Sequence, residues 1–456
     1  MKDMIAFQLL PGVLFLTVLL ASSATGHAAA SQLRLDLTHV DSGRGFTKRE
    51  LLRRMAARSR ARIDSRWSPP GRGANAHAVT ARVARDTVGK EDFNSEYLIH
   101  FGIGTPRPQR VALTLDTGSD LIWTQCFCQV CFPQPFPELD ASASNTVSGV
   151  SCFDPVCAPS DLSLPGCAVG DNICLYTYFY GDKSVTTGKI YRDTFTFQQA
   201  PNGKFAAVPN LRFGCGMFNT GDFGSNVSGI GGFGRGTLSL PSQLKVGRFS
   251  HCFTTIVDSR PSPVFLGTPD NLKAQATGPV QSTPFVRSSD PTNTFYYLSL
   301  KGITVGRTRL PFDASAFALK GDGSGGTIID SGSAVTSIPE AVYRSLVEAF
   351  ESQVPLPVNK NNTDEHDGLL CFTASPKKKE TAMPKLILHL EGADWDLPRE
   401  NYVMYTEEDG LCVVVNSAGE SGRTIIGNFQ QQNTHIVYDL EHNMLVFVPA
   451  RCDKLL

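Results

Sequence analysis

From Tyr97 onward the chain is written in short apolar runs broken by Gly, Pro, Asp and Asn. YLIHFGIG (97–104), VALTLD (111–116), LIWTQ (121–125), TFTF (194–197), FYYLSL (295–300), TIID (327–330), LCVVVN (411–416) and HIVYDL (435–440) are of this kind. They are too short for helices and rich in β-branched and aromatic residues, so their spacing predicts an all-β body. Short helices are expected at Pro339–Phe350 and near Leu240. Upstream, Thr47 to Ile63 reads as a basic helix, with Thr47 as N-cap and Glu50 completing a capping box. The stretch SPPGRGANA (68–76) reads as a linker. At the start, Lys2 precedes an almost wholly apolar run from Ile5 to Leu20, and small residues follow through Ala30. That pattern is a signal peptide over residues 1–30, too short and wrongly flanked for a membrane span.

An internal repeat organises the body. VALTLDTGSDLIW (111–123) and GTIIDSGSAVTSI (326–338) share an apolar run, then Asp, a hydroxyl residue, Gly and Ser, then apolar residues again. Each is followed by an apolar element ending in Gly: Gly229-Ile230-Gly231-Gly232-Phe233 and Thr424-Ile425-Ile426-Gly427-Asn428. Two lobes of similar size, each contributing one Asp loop, are expected: residues 91–270 and 271–456, after a basic segment over 31–90.

Charge sharpens this division. The chain carries a formal net charge of -1, which excludes a broad nucleic-acid-binding surface. Yet residues 31–90 hold 14 Lys/Arg and 5 Asp/Glu, a net of +9, whereas residues 91–456 hold 27 and 37, a net of -10. A basic arm of this kind either binds nucleic acid or docks on its own acidic body, and the latter is the expectation, with charge as the latch. All 12 cysteines lie between Cys126 and Cys452. Clustered thiolates also suit zinc, but an exported chain favours disulfides. Two sequons, at Asn226 and Asn361, agree with export.

The two Asp loops carry the candidate chemistry. Asp-Ser/Thr-Gly alone is a common turn, and Asp41-Ser42-Gly43 is read as one. Asp116 and Asp330 differ because the whole flanking pattern repeats around them. Two facing carboxylates cannot both ionise easily, so they share a proton, and they can hold a water between them. One then accepts the water's proton while the other protonates the substrate carbonyl. Thr117, Ser119, Ser331 and Ser333 offer hydroxyls to orient the loops, and Gly118 and Gly332 allow close backbone approach. Gly229 to Gly234 matches G-x-G-x-x-G but lacks the strand and long helix that a dinucleotide site needs.

Over about residues 97–452 the sequence resembles the atypical, nepenthesin-like plant aspartic proteases of the pepsin superfamily. The resemblance rests on Tyr97-Leu98, Gly104-Thr105-Pro106, Asp116-Thr117-Gly118-Ser119, Trp123-Thr124-Gln125-Cys126, Tyr180-Gly181-Asp182, Gly234-Arg235-Gly236, Gly325 to Asp330 and Gly427-Asn428-Phe429-Gln430-Gln431-Gln432-Asn433. It implies a mainly β, bilobal pepsin-like fold with the active-site cleft between the lobes and Asp116 and Asp330 as the catalytic pair. Tyr180 and Gly181 would lie in a flap over the substrate, with Trp123 as the hydrogen-bonding partner of Tyr180. Residues 126–174 would form a cysteine-rich insertion, and Cys371–Cys412 and Cys252–Cys452 would be disulfides. The remaining eight cysteines stay unassigned. Three departures stand out: Lys183 where the family has Gly, DSGS where it commonly has DSGT, and Gly231 where an apolar residue is usual.

The reading is therefore an endopeptidase made as a proenzyme. It acts on peptides or proteins, needs no metal or organic cofactor, and is inhibited by its own basic segment until that segment is cut off in the linker before Tyr97. A monomer is expected, secreted to the apoplast or sent to the vacuole, with no nucleic acid bound and no membrane contact once the signal is removed. The alternative is a binding protein on the same fold, catalytically weak or inactive and similar to xylanase inhibitors.

Overall fold

The computed structural model describes residues 33–63 and 97–455, apart from 159–161, 199–202, 222, 225, 268–271, 274, 291–292, 360–367, 375–381, 407–409 and 420–421. The signal peptide, the linker and the Asn361 sequon lie outside the described residues.

The body is mainly β, in two lobes, with most strands joined in one extended sheet. The apolar runs become strands because each buries one or both faces. Tyr97–Ile103 pairs antiparallel with Gln109–Asp116, and nearly all of their side chains are buried. The expected short helices form at Glu340–Glu351 and Leu240–Leu244. The internal repeat is structural as well. Gly229–Gly232 runs parallel to the strand ending at Asp116, with Gly232 beside Asp116, and meets Trp123 and Thr124 on its other side. Thr424–Ile426 likewise runs parallel to Thr327–Ile329 and meets Ser337. The G-x-G-x-x-G run is thus a paired strand. At Gly231 an added Cβ would meet Ile99, Leu113 and Thr114 at 3.5 Å, an ordinary contact.

A band of antiparallel strands ties the lobes together. Leu33–His39, Ser262–Leu266, Arg248–Cys252, Thr434–Asp439, Met444–Pro449 and Gln281–Val286 pair in that order. The first of these belongs to the basic segment. It also pairs with Tyr97–Ile103, and Leu33, Leu35 and Leu37 enter the main core. The leader is therefore a member of the sheet.

The expected basic helix forms over Lys48–Ile63, and Thr47 Oγ1 accepts from the Glu50 N–H at 3.1 Å. Leu51, Leu52, Met55 and Ala56 make one apolar face, packed with Ile256, Ala334, Val335, Leu369, Met404 and Phe429. This stripe docks through apolar contact, and within the leader Arg54 pairs with Asp41 at 3.3 Å, both side chains buried. The Arg54 guanidinium also lies 4.3 Å from the Phe46 ring centroid. Asp41-Ser42-Gly43 is a turn, as expected, but its Asp anchors the helix.

All 12 cysteines are paired. Cys252–Cys452 and Cys371–Cys412 join as the resemblance implies. The others join Cys126–Cys215, Cys128–Cys131, Cys152–Cys167 and Cys157–Cys174.

Candidate active site

Each Asp sits at or just beyond the end of a buried strand and turns into a tight loop. Asp116 Oδ1 accepts from the Gly118 N–H at 3.0 Å, and Oδ2 from Ser119 Oγ at 2.6 Å. Asp330 Oδ1 accepts from the Gly332 N–H at 2.8 Å, and Oδ2 from Ser333 Oγ at 2.6 Å. The two carboxylates thus stand in the same frame of donors, and both are buried.

The loops grip one another. Ser331 Oγ accepts from the Thr117 N–H at 3.0 Å and donates to Leu115 O at 2.8 Å. Thr117 Oγ1 accepts from the Ser331 N–H at 2.9 Å. Ser at 331 thus supplies the hydroxyl this contact needs. A Cβ on Gly118 would lie 2.8 Å from Asp330 Oδ1, so the loops face each other at a distance that only glycine permits there.

Next to the first loop stands a hairpin built from Cys174–Phe179 and Val185–Gln198. Tyr180 is at its tip, and its hydroxyl accepts from Trp123 Nε1–H at 2.7 Å. Burial, reinforced by Tyr178 and then by Asp116, holds the Tyr180 phenol well above its usual pKa. It stays neutral and keeps its proton. Gly181 is exposed beside it.

Several residues support the site in ways that the sequence reading assigned to none of them. Tyr178 Oη accepts from the Asp120 N–H at 3.3 Å, and Asp120 Oδ1 accepts from the Gly236 N–H at 2.7 Å. Tyr178 is two residues before Tyr180 in an alternating strand, a signal that places both on one face. Under the second loop, Gln431 Nε2 donates to Asp330 O at 3.1 Å and Ile426 O at 2.9 Å, and Asn428 Nδ2 to Ser331 O at 3.0 Å. The run NFQQQ has the polarity of a surface segment, yet every one of its residues is buried.

The leader reaches the same region. Ser59 Oγ accepts from the Val335 N–H at 2.7 Å, just past the second loop. On the other lobe, the Asn226 amide is engaged on both sides. Oδ1 accepts from Arg44 at 3.1 Å, and Nδ2, the atom a glycan would join, donates to Val40 O at 2.9 Å.

Aspartic proteinase nepenthesin-1 of Nepenthes gracilis is 39% identical, over 93% of this chain and 91% of its own length. Nepenthesin-2 of the same plant is 38% identical, over 92% and 90%. The chain belongs to the nepenthesin-like aspartic proteases of the pepsin superfamily.

Aspartyl protease family protein 2 of Arabidopsis thaliana is 34% identical, over 92% of this chain and 86% of its own. The family descriptions matched are "Xylanase inhibitor N-terminal" over residues 97–268 and "Xylanase inhibitor C-terminal" over 295–449. The solved structures of edgp and of soybean basic 7S globulin share the fold, with TM-scores of 0.63 and 0.61 at 18% identity. They cover 80% and 79% of this aspartic protease and 95% of each solved chain.

Proposed function

We propose that this aspartic protease is an endopeptidase in which Asp116 and Asp330 activate a water against a peptide bond. The observation that carries the reading is the duplicated donor frame around two facing carboxylates. A group that must pass protons back and forth needs its lone pairs aimed and its position fixed, and the Gly and Ser donors provide both. One carboxylate takes a proton from the water as its oxygen attacks the carbonyl carbon. The other, protonated, gives its proton to the carbonyl oxygen. Collapse of the resulting diol breaks the C–N bond, and the proton taken from water passes to the leaving amine. Tyr180, neutral and oriented by Trp123, closes over the substrate and limits access of bulk water. Thr117, Ser119, Ser331 and Ser333 hold the frame.

The same reading takes residues 31–90 as an intramolecular inhibitor and the chain as a secreted or vacuolar monomer with its signal over residues 1–30. The lobes would then run over 91–270, with the cysteine-rich insertion at 126–174, and over 271–456. Cutting the linker would not by itself free the leader. Its strand lies between two others, and losing it leaves two rows of backbone donors and acceptors unpaired and exposes Leu33, Leu35 and Leu37. Two steps are therefore expected, cleavage and then dissociation.

The family descriptions matched name xylanase inhibitors, and a binding protein is the second reading. It has no use for a proton-sharing pair in this frame. The purified, activated protein should cleave an unfolded protein between pH 3 and 7, with a statine-type inhibitor abolishing cleavage. Tight xylanase binding with no cleavage would favour the second reading.

A further inference from the structure

The tip of the Tyr180 hairpin contains a conformational anomaly. Tyr180 N–H donates to Ser184 O at 2.9 Å and Lys183 N–H to Tyr180 O at 3.1 Å. The loop is thus a three-residue turn whose last residue, Lys183, sits at φ 66°. Loops of this shape favour glycine there, because a Cβ in the left-handed region crowds the following carbonyl. Among the described residues seven non-glycines have positive φ, and four are Asn, the type that tolerates it. Lys245, another, ends a helix and donates to Pro241 O and Ser242 O, which accounts for it. Lys183 also closes its turn through its backbone N–H, which leaves the choice of a cationic side chain there unexplained. It is exposed, and no acidic group among the described residues pairs with it. Its neighbour Asp182 is half-buried and spends Oδ1 on the turn itself, accepting from the Ser184 N–H at 2.9 Å.

A strained residue kept at a functional loop is a pointer to use. The hairpin stands over the first Asp loop through Tyr178 and Tyr180, so a peptide lying on the dyad passes under its tip. The body around it carries a net charge of -10 and repels acidic peptides as a whole. We propose that Lys183 is a specificity residue that selects an Asp or Glu side chain in the segment of the substrate beneath the flap. This rests on the endopeptidase reading above.

The test uses the activated enzyme and one neutral peptide with a single cleaved bond. Variants of that peptide carry Glu or Gln at each position on either side of the bond. Assays are run at pH 5, above the Glu reference pKa of about 4.3. At one position the wild type should favour Glu over Gln in kcat/KM by roughly two- to fivefold at low salt, the range for an exposed ion pair. Added salt should shrink that ratio. Lys183→Gln keeps a side chain at the strained position and should bring the ratio to about one. Lys183→Glu should invert it, and Lys183→Gly should match Lys183→Gln if charge rather than backbone is what matters. A wild-type ratio of one at every position, or a ratio unchanged in Lys183→Gln, overturns the proposal while statine-sensitive cleavage of the neutral peptide leaves the endopeptidase reading standing. Absence of cleavage of every peptide overturns both.

Discussion

The two Asp loops perform the same task with different supports. Each frames its carboxylate with one backbone N–H and one serine hydroxyl, and each reaches across to the other. The matching glycines Gly232 and Gly427 both sit against backbone, where a Cβ would lie 2.2 Å from Asp120 and 2.6 Å from Val335. Behind the first loop alone the closeness extends further back, since a Cβ on Gly229 would lie 2.1 Å from Trp123 O. Behind the second loop, Thr424 and Ile426 stand where the first has Gly229 and Gly231. The bracing there comes from buried amides: Asn428, Gln430 and Gln431 all hydrogen-bond to the backbone around Asp330. The two halves of the repeat share the donors around the carboxylates and differ in the scaffold behind them. Gly229 should thus be intolerant of an added side chain where its counterpart Thr424 already carries one, and the second loop should be intolerant of lost amides.

The largest break in that comparison should come from Gly229→Ala. Its methyl group meets backbone that cannot move without displacing Trp123, so a loss of stability above about 3 kcal/mol is expected. Thr424→Ala, at the matching position, should cost about 1 kcal/mol. Thermal unfolding of the two variants checks this, and equal losses would mean that the loops are braced alike.

A second prediction concerns the sheet beneath both loops. His251 and His435 are buried in it, and neither His251 ring nitrogen has a partner among the described residues. Burial, and then the nearby His435, lowers the His251 pKa to about 3, and burial lowers that of His435 to about 4. Both fall below the unfolded value of about 6.5. The unfolded chain therefore takes up protons on acidification before the folded one does. Stability should fall between pH 6.5 and 4, by on the order of 3 kcal/mol per histidine. His435→Gln should flatten this decline as followed by denaturant unfolding at pH 7 and pH 4; an unaltered slope would mean that other groups govern it.

Gln431→Leu should act more locally. It strips the hydrogen bonds from Asp330 O and Ile426 O in a dry site, costing about 1–3 kcal/mol. Because Asp330 moves with its carbonyl, kcat should drop while KM changes little. Gln431→Glu, which keeps the length but loses the donors once ionised, should not restore kcat. An unchanged kcat in Gln431→Leu would leave the amide as packing alone.

The repeat, the dyad, the hairpin and the leader helix were legible because each is written locally: a motif with its flanks, a Tyr-Gly-Asp turn between alternating runs, a capping box. What was not legible depends on which distant elements meet. Charge counts marked the leader as basic, but they did not show that Arg54 would pair with Asp41 thirteen positions away or that a stripe of Leu51, Leu52, Met55 and Ala56 would dock. Their four-residue spacing was the available signal. The strand at 33–39 was not read from sequence; the alternation in LRLDLTH was the available signal, but nothing local showed that it would lie between two strands far along the chain. The Cys126–Cys215 bridge likewise follows from two parallel strands placing Gln125 beside Gly216, a register that no spacing encodes. The Gln and Asn run was visible as a motif, but its burial was hidden by its polarity, since only the tertiary fold supplies carbonyls to satisfy it.

The central claim is that Asp116 and Asp330 act as one proton-sharing pair, equal in chemistry despite their different supports. The direct measurement is peptide cleavage by Asp116→Asn and Asp330→Asn, each checked for an unchanged unfolding transition and each assayed across pH 3–7 after removal of the leader. An amide can neither accept the water's proton nor share one with its partner, so each variant should lose at least about 1,000-fold in kcat/KM, with no pH at which activity returns. Substantial turnover in either folded variant would contradict the account.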